Sequence, residues 1–305
     1  RRQRQMCIRD RFSTDLNTQK RVLYSSDRFQ IVDNINAYLV DAPDVFIESR
    51  SLPICNVPKM TTGNRPADGG NLIIESSDYD DFIKQEPGAK KYIKRLMGAK
   101  EYINNQKRYC LWLVGISPAE LRKMPFVLER VEACRQDRLN GAEDRQKLAD
   151  TPTLFRELKN PLTYIIVPRH SSENRRYIPM GFLDNTFIPA DSATIIPEAT
   201  LFHFGIIMSN VHMAWVRTVC GRIKSDYRYS KDIVYNNFPW PTPTDEQKAK
   251  IEETAQAILD ARALYPDSSL ADLYDEVAMP PELRKAHQQN DKVVMQAYGF
   301  SVKDM

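Results

Sequence analysis

Two textures of apolar spacing divide this chain. Up to about Pro239 the apolar residues come in short runs bounded by Pro, Gly and polar clusters. These are Phe29-Gln30-Ile31-Val32, Val45-Phe46-Ile47, Leu72-Ile73-Ile74, Tyr109-Cys110-Leu111-Trp112-Leu113-Val114 and Tyr164-Ile165-Ile166-Val167. Runs of that length read as strands, and the continuous ones as strands buried on both faces. Tyr177 to Phe182 adds another. Between the strands, residues 78–86 and 89–97 predict helices broken at Pro87-Gly88, and residues 118–149 predict helical structure starting near Pro118 and Pro125. Residues 200–220, apolar with small residues interleaved, predict one buried helix.

Beyond Pro239 the spacing becomes helical. Pro239-Trp240-Pro241-Thr242-Pro243-Thr244 is a rigid connector, and Thr244 with Gln247 makes a capping box ahead of Ile251, Ala255, Ile258 and Leu259. A last helix begins at Pro280-Pro281, places Leu283, Ala286, Val293, Val294 and Ala297 on one side, and ends at Gly299. The pattern predicts an α+β (mixed α/β) body over residues 30–241, followed by a small all-α C-terminal domain over 242–305.

Composition narrows the class. With 42% hydrophobic and 10% aromatic residues the chain is not disordered, and no apolar stretch approaches the ~18 residues of a membrane span. Five scattered cysteines without a C-x-x-C pair argue against a disulfide framework or zinc knuckle and for a reducing, cytoplasmic compartment. The net charge of +3 is uneven: residues 1–11 hold five Arg against one Asp, whereas residues 245–305 hold seven Lys/Arg against twelve Asp/Glu. The body is mildly basic and the tail acidic. Residues 1–11 show no initiator Met, secretory pattern or amphipathic spacing, and read as an adaptor-like, non-native tail; a basic nucleic-acid arm is the competing reading. On the first reading, residues 12–29 are the remnant of a linker from a missing upstream domain.

Templates for catalysis do not fit. Gly63 to Gly70 is neither a dinucleotide fingerprint nor a phosphate-binding loop and reads as a tight turn. His203 and His212 lack partners at ligand spacing and read as core histidines, so no metal site is expected. There is no nucleophile elbow. Asn237-Phe238-Pro239-Trp240 resembles the Asn-Pro-Pro-aromatic motif of amino-methyltransferases, but Phe238 stands where the first Pro belongs and no glycine-rich cofactor turn precedes it. The string reads as a structural joint. No catalytic residue is assigned.

Two polar clusters remain. Arg169, His170, Ser172, Asn174, Arg175 and Arg176 lie in a polar turn between two apolar strands, where guanidinium forks suit guanine or phosphate and an amide suits adenine. A solvated hairpin with surface ion pairs is the alternative. Arg217, Arg222, Lys224 and Arg228, interleaved with Tyr227, Tyr229 and Ser230, suit a phosphate backbone, or else form an ordinary solvated helix end.

Several strings point further. Gly63-Asn64-Arg65-Pro66-Ala67-Asp68-Gly69-Gly70-Asn71-Leu72, Arg108-Tyr109-Cys110-Leu111-Trp112-Leu113, Ser171 to Pro179, Arg228-Tyr229-Ser230 and Tyr235 to Pro241 resemble the C-terminal half of MmeI-type bacterial DNA methyltransferases, many of them fused restriction-modification enzymes. Leu259 to Arg262, Ser269 to Tyr274, Met279-Pro280 and Ala286-His287 resemble that family's C-terminal helical domain. The likeness runs in order from about residue 30 to 300 and departs at Asn174, where the family pattern has Arg.

The resemblance implies target recognition on double-stranded DNA for an adenine-N6 methyltransferase. The methyltransferase core of the same parent chain, with its S-adenosylmethionine, would lie upstream, and these residues would hold no cofactor. Arg169, His170, Ser172, Asn174, Arg175 and Arg176, with Asn185, Asp191 and Thr194, would then face base edges. Arg217, Arg222, Lys224, Arg228, Tyr229 and Ser230 would face phosphates. An independent protein-interaction domain with no DNA role is the alternative.

Overall fold

A computed structural model describes residues 21–25, 28–32, 35, 41 and 46–301. The basic string 1–11 and most of the linker expected over 12–29 lie outside the described residues. The chain divides into two units, residues 1–48 and 49–305. In the first, Arg21–Ser25 pairs antiparallel with Arg28–Val32, in register from Arg21 opposite Val32 to Ser25 opposite Arg28. That strand contains the run expected at residues 29–32. Phe46 and Ile47, expected in a strand, belong to none, and Phe46 is exposed.

The second unit is built on two four-stranded sheets. In the first, Ile93–Met97 is central, antiparallel to Arg108–Leu111 and parallel to Phe187–Pro189, and Ile73–Glu75 closes the far edge beside Arg108–Leu111. Residues 93–97 were expected to be helical. Their backbone instead pairs on both sides, and those long-range ladder bonds outweigh the local helical pattern of a short segment. The helix Pro125–Leu139 covers this sheet, burying Val127, Val131 and Cys134 against Leu72, Ile74, Leu96 and Leu111.

The second sheet orders Thr61–Thr62, Ala193–Pro197, Thr163–Pro168 and Gly181–Asp184, all antiparallel. Alternation along its central strand explains the unbroken apolar run. Tyr164 and Ile166 pack with Met97, Ala193 and Ile195, while Ile165 and Val167 enter the larger core with Ile196 and Phe204. A strand buried on both faces has no polar side to show.

Residues 200–220 form two helices, Leu201–Ile207 and Asn210–Val219, where one was expected. The break is chemical: the Ser209 hydroxyl donates to the Ile206 carbonyl at 2.7 Å and accepts the His212 N–H at 3.3 Å, ending one helix and capping the next. The tail helices Asp245–Ala263 and Pro281–Ala297 pack on this pair. Thr244 and Gln247 exchange the expected capping-box bonds at 2.9 and 3.2 Å. Gly205 lets the helices approach closely, since a Cβ there would lie 2.7 Å from Ile251 Cγ2 and 3.2 Å from Ala255 Cβ. Ile251, Ala255, Ile258, Leu283 and Val294 share one core with Phe204, Met213 and Tyr235. The change of texture at Pro239 marks a change of element type, while the core continues through it.

Candidate nucleic-acid interface

A third sheet carries most of the chemistry. Gly221–Ile223 and Asp226–Arg228 form a hairpin, and Asp226–Arg228 pairs in turn with His170–Ser171. Tyr227 is the Cα partner of Ser171, and Arg228 of His170. The polar loop 169–176 and the basic segment 217–230, read from the sequence as two clusters, therefore form one surface. Three contacts fasten the loop: the Arg169 carbonyl accepts from the Tyr229 N–H at 2.8 Å, Asp226 accepts from the Glu173 N–H at 3.2 Å, and Arg175 N–H donates to the Ser172 carbonyl at 3.2 Å.

Exposed cations line this surface. Arg222 lies over the Tyr227 ring, 4.0 Å from its centroid, and donates to the Ser225 carbonyl at 2.9 Å. Lys224 holds φ 56°, a left-handed backbone that costs a residue with a Cβ about 1–2 kcal/mol, at the exposed hairpin tip. Neither Lys224 nor Arg228 makes an ion pair among the described residues. Arg176 is exposed beside the Tyr177 ring, and Arg217 is exposed while donating to Asn210 and to the Arg176 carbonyl. Asn174 is exposed on the loop, and Ser172 accepts its N–H at 3.3 Å. Partial burial, then Arg169 and Arg228, hold the His170 imidazole below its ordinary pKa. Its ring is neutral at pH 7, with one donor and one acceptor nitrogen. Ser230 precedes the turn Lys231–Tyr235 and accepts the Val234 N–H through its carbonyl at 2.8 Å.

Three expected contacts require correction. Thr194 is 2% exposed in the middle of the second sheet, its hydroxyl given to the Val167 carbonyl at 3.2 Å. Tyr229 is 1% exposed, with its hydroxyl 3.0 Å from His212 Nε2. Neither side chain reaches a ligand at the surface. Asn185 sits beside Leu162, whose carbonyl takes its N–H at 3.1 Å, whereas Arg169 lies at the other end of the strand Thr163–Pro168. At the usual strand rise that is roughly 23 Å away. Asp191 does join the loop: its carbonyl accepts from Arg169 at 3.0 Å, and its carboxylate pairs with Arg65 at 3.1 Å.

A cleft of about 530 Å³ opens between this surface and the helix Ala99–Ile103. His170, Ser172, Arg175 and Asp226 form one wall, and Lys100, Asn104 and Arg108 the other. The sequence offered no sign of the second wall: Lys100, Asn104 and Arg108 lie on the connection between the strands Ile93–Met97 and Arg108–Leu111, and nothing local shows that this connection faces residues 170–175 and 226. A larger groove of about 650 Å³, lined by Val211, Trp215, Phe238, Met295 and Tyr298, is apolar and holds no cation for a phosphate. His203 and His212 are structural, as expected. His203 Nδ1 caps Thr200, and burial lowers the His212 pKa to about 3. Asn237 is a joint as well, with its amide N–H groups donating to the Asp232 and Ile233 carbonyls and its oxygen accepting from Arg50 Nε at 3.0 Å.

The family model "MmeI, target recognition domain" matches residues 41–242, and "MmeI, C-terminal domain" matches residues 243–304. The chain belongs to the MmeI target-recognition-domain family. DNA methyltransferase A of Bacillus subtilis (strain 168) is 39% identical over 278 residues, which is 90% of this chain and 32% of that protein. A solved structure of the Type IIL restriction-modification enzyme MmeI in complex with DNA superposes with a TM-score of 0.87 at 41% identity, covering 93% of this chain and 39% of that one. The chain thus spans about a third of the length of the curated relative it matches. The MmeI-type recognition domain contains the loop, the hairpin and the cleft, and the MmeI-type C-terminal domain supplies the two long helices packed behind them.

Proposed function

We propose that this chain reads a DNA site for an adenine-N6 methyltransferase of a restriction-modification system. Its recognition domain runs over residues 30–241 and its helical C-terminal domain over 242–305. The observation that carries the reading is the joining of loop 169–176 and hairpin 221–228 into one cation-rich sheet, in a chain of the target-recognition family. In this reading Lys224, Arg228 and Arg222 meet phosphates and set the register, while His170, Ser172, Asn174, Arg175 and Arg176 face base edges. The neutral His170 ring and the Asn174 amide each offer both a donor and an acceptor, which base edges need and phosphates do not. S-adenosylmethionine belongs to the catalytic core elsewhere in the parent, which acts in the cytoplasm and receives the flipped adenine.

Duplex binding by this chain across a salt series tests the reading. A steep fall of log K with log salt, together with enrichment of one short motif from a randomised duplex pool, is the expected result. Absence of duplex binding at low salt would sink it and favour a protein-interaction role. Titration calorimetry of the same chain with S-adenosylmethionine is expected to show no heat of binding. Micromolar affinity would place the cofactor site in these residues.

A further inference from the structure

The C-terminal helix Pro281–Ala297 reaches the recognition loop through a ring of hydrogen bonds, buried at Asp291 and Tyr177 and exposed at Arg217. The Asp291 carboxylate, 1% exposed, accepts the Tyr177 hydroxyl at 2.6 Å and the backbone N–H of Asn210 at 2.6 Å. Tyr177 directly follows Arg176, the last residue of the loop. Asn210 opens the helix Asn210–Val219, and its Oδ1 accepts from Arg217 Nη1 at 3.2 Å. Arg217 Nη2 then donates to the Arg176 carbonyl at 3.1 Å, which closes the ring. Below it, the Tyr177 ring stacks on His287 with centroids 4.1 Å apart, and His287 Nε2 lies 2.7 Å from the Tyr274 hydroxyl. Arg262 donates to that hydroxyl at 2.8 Å and to the Met180 carbonyl at 2.6 Å. Residues 177 and 180 are thus held by side chains of the C-terminal helices, and residue 176 by Arg217 of the helix Asn210–Val219.

A carboxylate in that position is a poor choice for stability alone. Burial disfavours its charged form and raises its pKa, and an apolar residue of similar volume would fill the space with less desolvation. What the carboxylate adds is direction, since two donors from two different segments must converge on its two oxygens.

We propose that Asp291 is a positioning residue for sequence recognition. By fixing Tyr177 and the first turn of Asn210–Val219 together, it sets the path of the loop's end and the aim of Arg176 and Arg217. The acidic helical tail is then part of the reading apparatus without touching DNA. Base-edge contacts tolerate little displacement, so loosening this ring erodes discrimination before it erodes electrostatic attraction. The inference rests on the DNA-reading role proposed above.

The experiment compares the full 305-residue chain with Asp291→Asn and Tyr177→Phe, using the duplex that the wild type enriches from a random pool and a scrambled duplex of equal length. Both variants are expected to weaken binding of the enriched duplex by about tenfold, leave the scrambled duplex within about twofold, and keep the same salt slope. Amides of residues 171–177 should exchange faster with solvent, while the sheet strand Thr163–Pro168 keeps its protection. If Asp291→Asn does not fold, Tyr177→Phe decides, since it removes one hydroxyl and leaves the ring on His287. Equal weakening on both duplexes, or none, overturns the positioning role while the function reading stands. A wild type with no sequence preference overturns the function reading and this inference together.

Discussion

His170 and Arg228 are Cα partners across a two-strand junction, one from the polar loop and the other from the basic hairpin. Their pairing puts a neutral imidazole beside an exposed guanidinium that makes no ion pair among the described residues. The two residue sets proposed for bases and for phosphates are therefore neighbours, and only their contact chemistry separates them.

Arg228→Ala and Lys224→Ala are expected to weaken all duplexes alike and to lower the salt slope by about one unit each, one counterion per lost phosphate contact. Arg175→Ala or Arg176→Ala should instead cost about 1–3 kcal/mol on the preferred site and much less elsewhere. Equilibrium binding to the enriched and scrambled duplexes checks both, and the reverse pattern would mean the two sets exchange roles. Thr194→Val serves as the control: its hydroxyl is buried, so duplex affinity should not change.

Gly205→Ala should part the helical layer from the body. The added Cβ meets Ile251 and Ala255 on a packed helix, and overpacking of this kind costs roughly 1–3 kcal/mol. A urea midpoint unchanged from wild type would show that Asp245–Ala263 shifts aside freely.

Arg138 is fully buried and makes no ion pair among the described residues. Its guanidinium donates instead to the carbonyls of Pro66, Ala67, Leu148, Thr151 and Leu154. Arg138→Met keeps the stem but leaves those carbonyls without their donor, so a loss of about 3–5 kcal/mol is expected by urea unfolding. Proteolysis near residues 63–72 should rise with it, because that loop hangs on two of the five bonds.

Stability should fall as the solution is acidified from pH 7. Burial lowers the His212 pKa to about 3 from 6.5, and burial with Lys248 lowers His203 to about 4. Between those values and 6.5 the unfolded chain binds protons that the folded chain refuses. Stability from these two rings is thus fully present above about pH 6.5 and is lost as pH falls toward their folded values. His212→Gln should flatten the change in urea midpoint between pH 7 and pH 5. A slope identical to wild type would assign the acid sensitivity elsewhere.

Patterning and local chemistry were enough for part of this protein. The run Tyr164 to Val167 is apolar throughout because the strand is buried on both faces, and Thr244 with Gln247 marks a helix start through contacts made within one turn. The strings shared with MmeI-type proteins carried the family, because they encode turns and core positions that any member must build. Residues 93–97 were misread because their state depends on strands far away in the chain, and a pentapeptide holds no record of its partners. For the same reason Thr194 and Tyr229 looked available as polar residues in polar company, yet both face inward. The union of loop and hairpin, the second wall of the cleft, and the ring through Asp291 all join residues distant in sequence. Their geometry arises only when long-range packing brings the backbones together, and the hydrogen bonds that define it exist in no local segment.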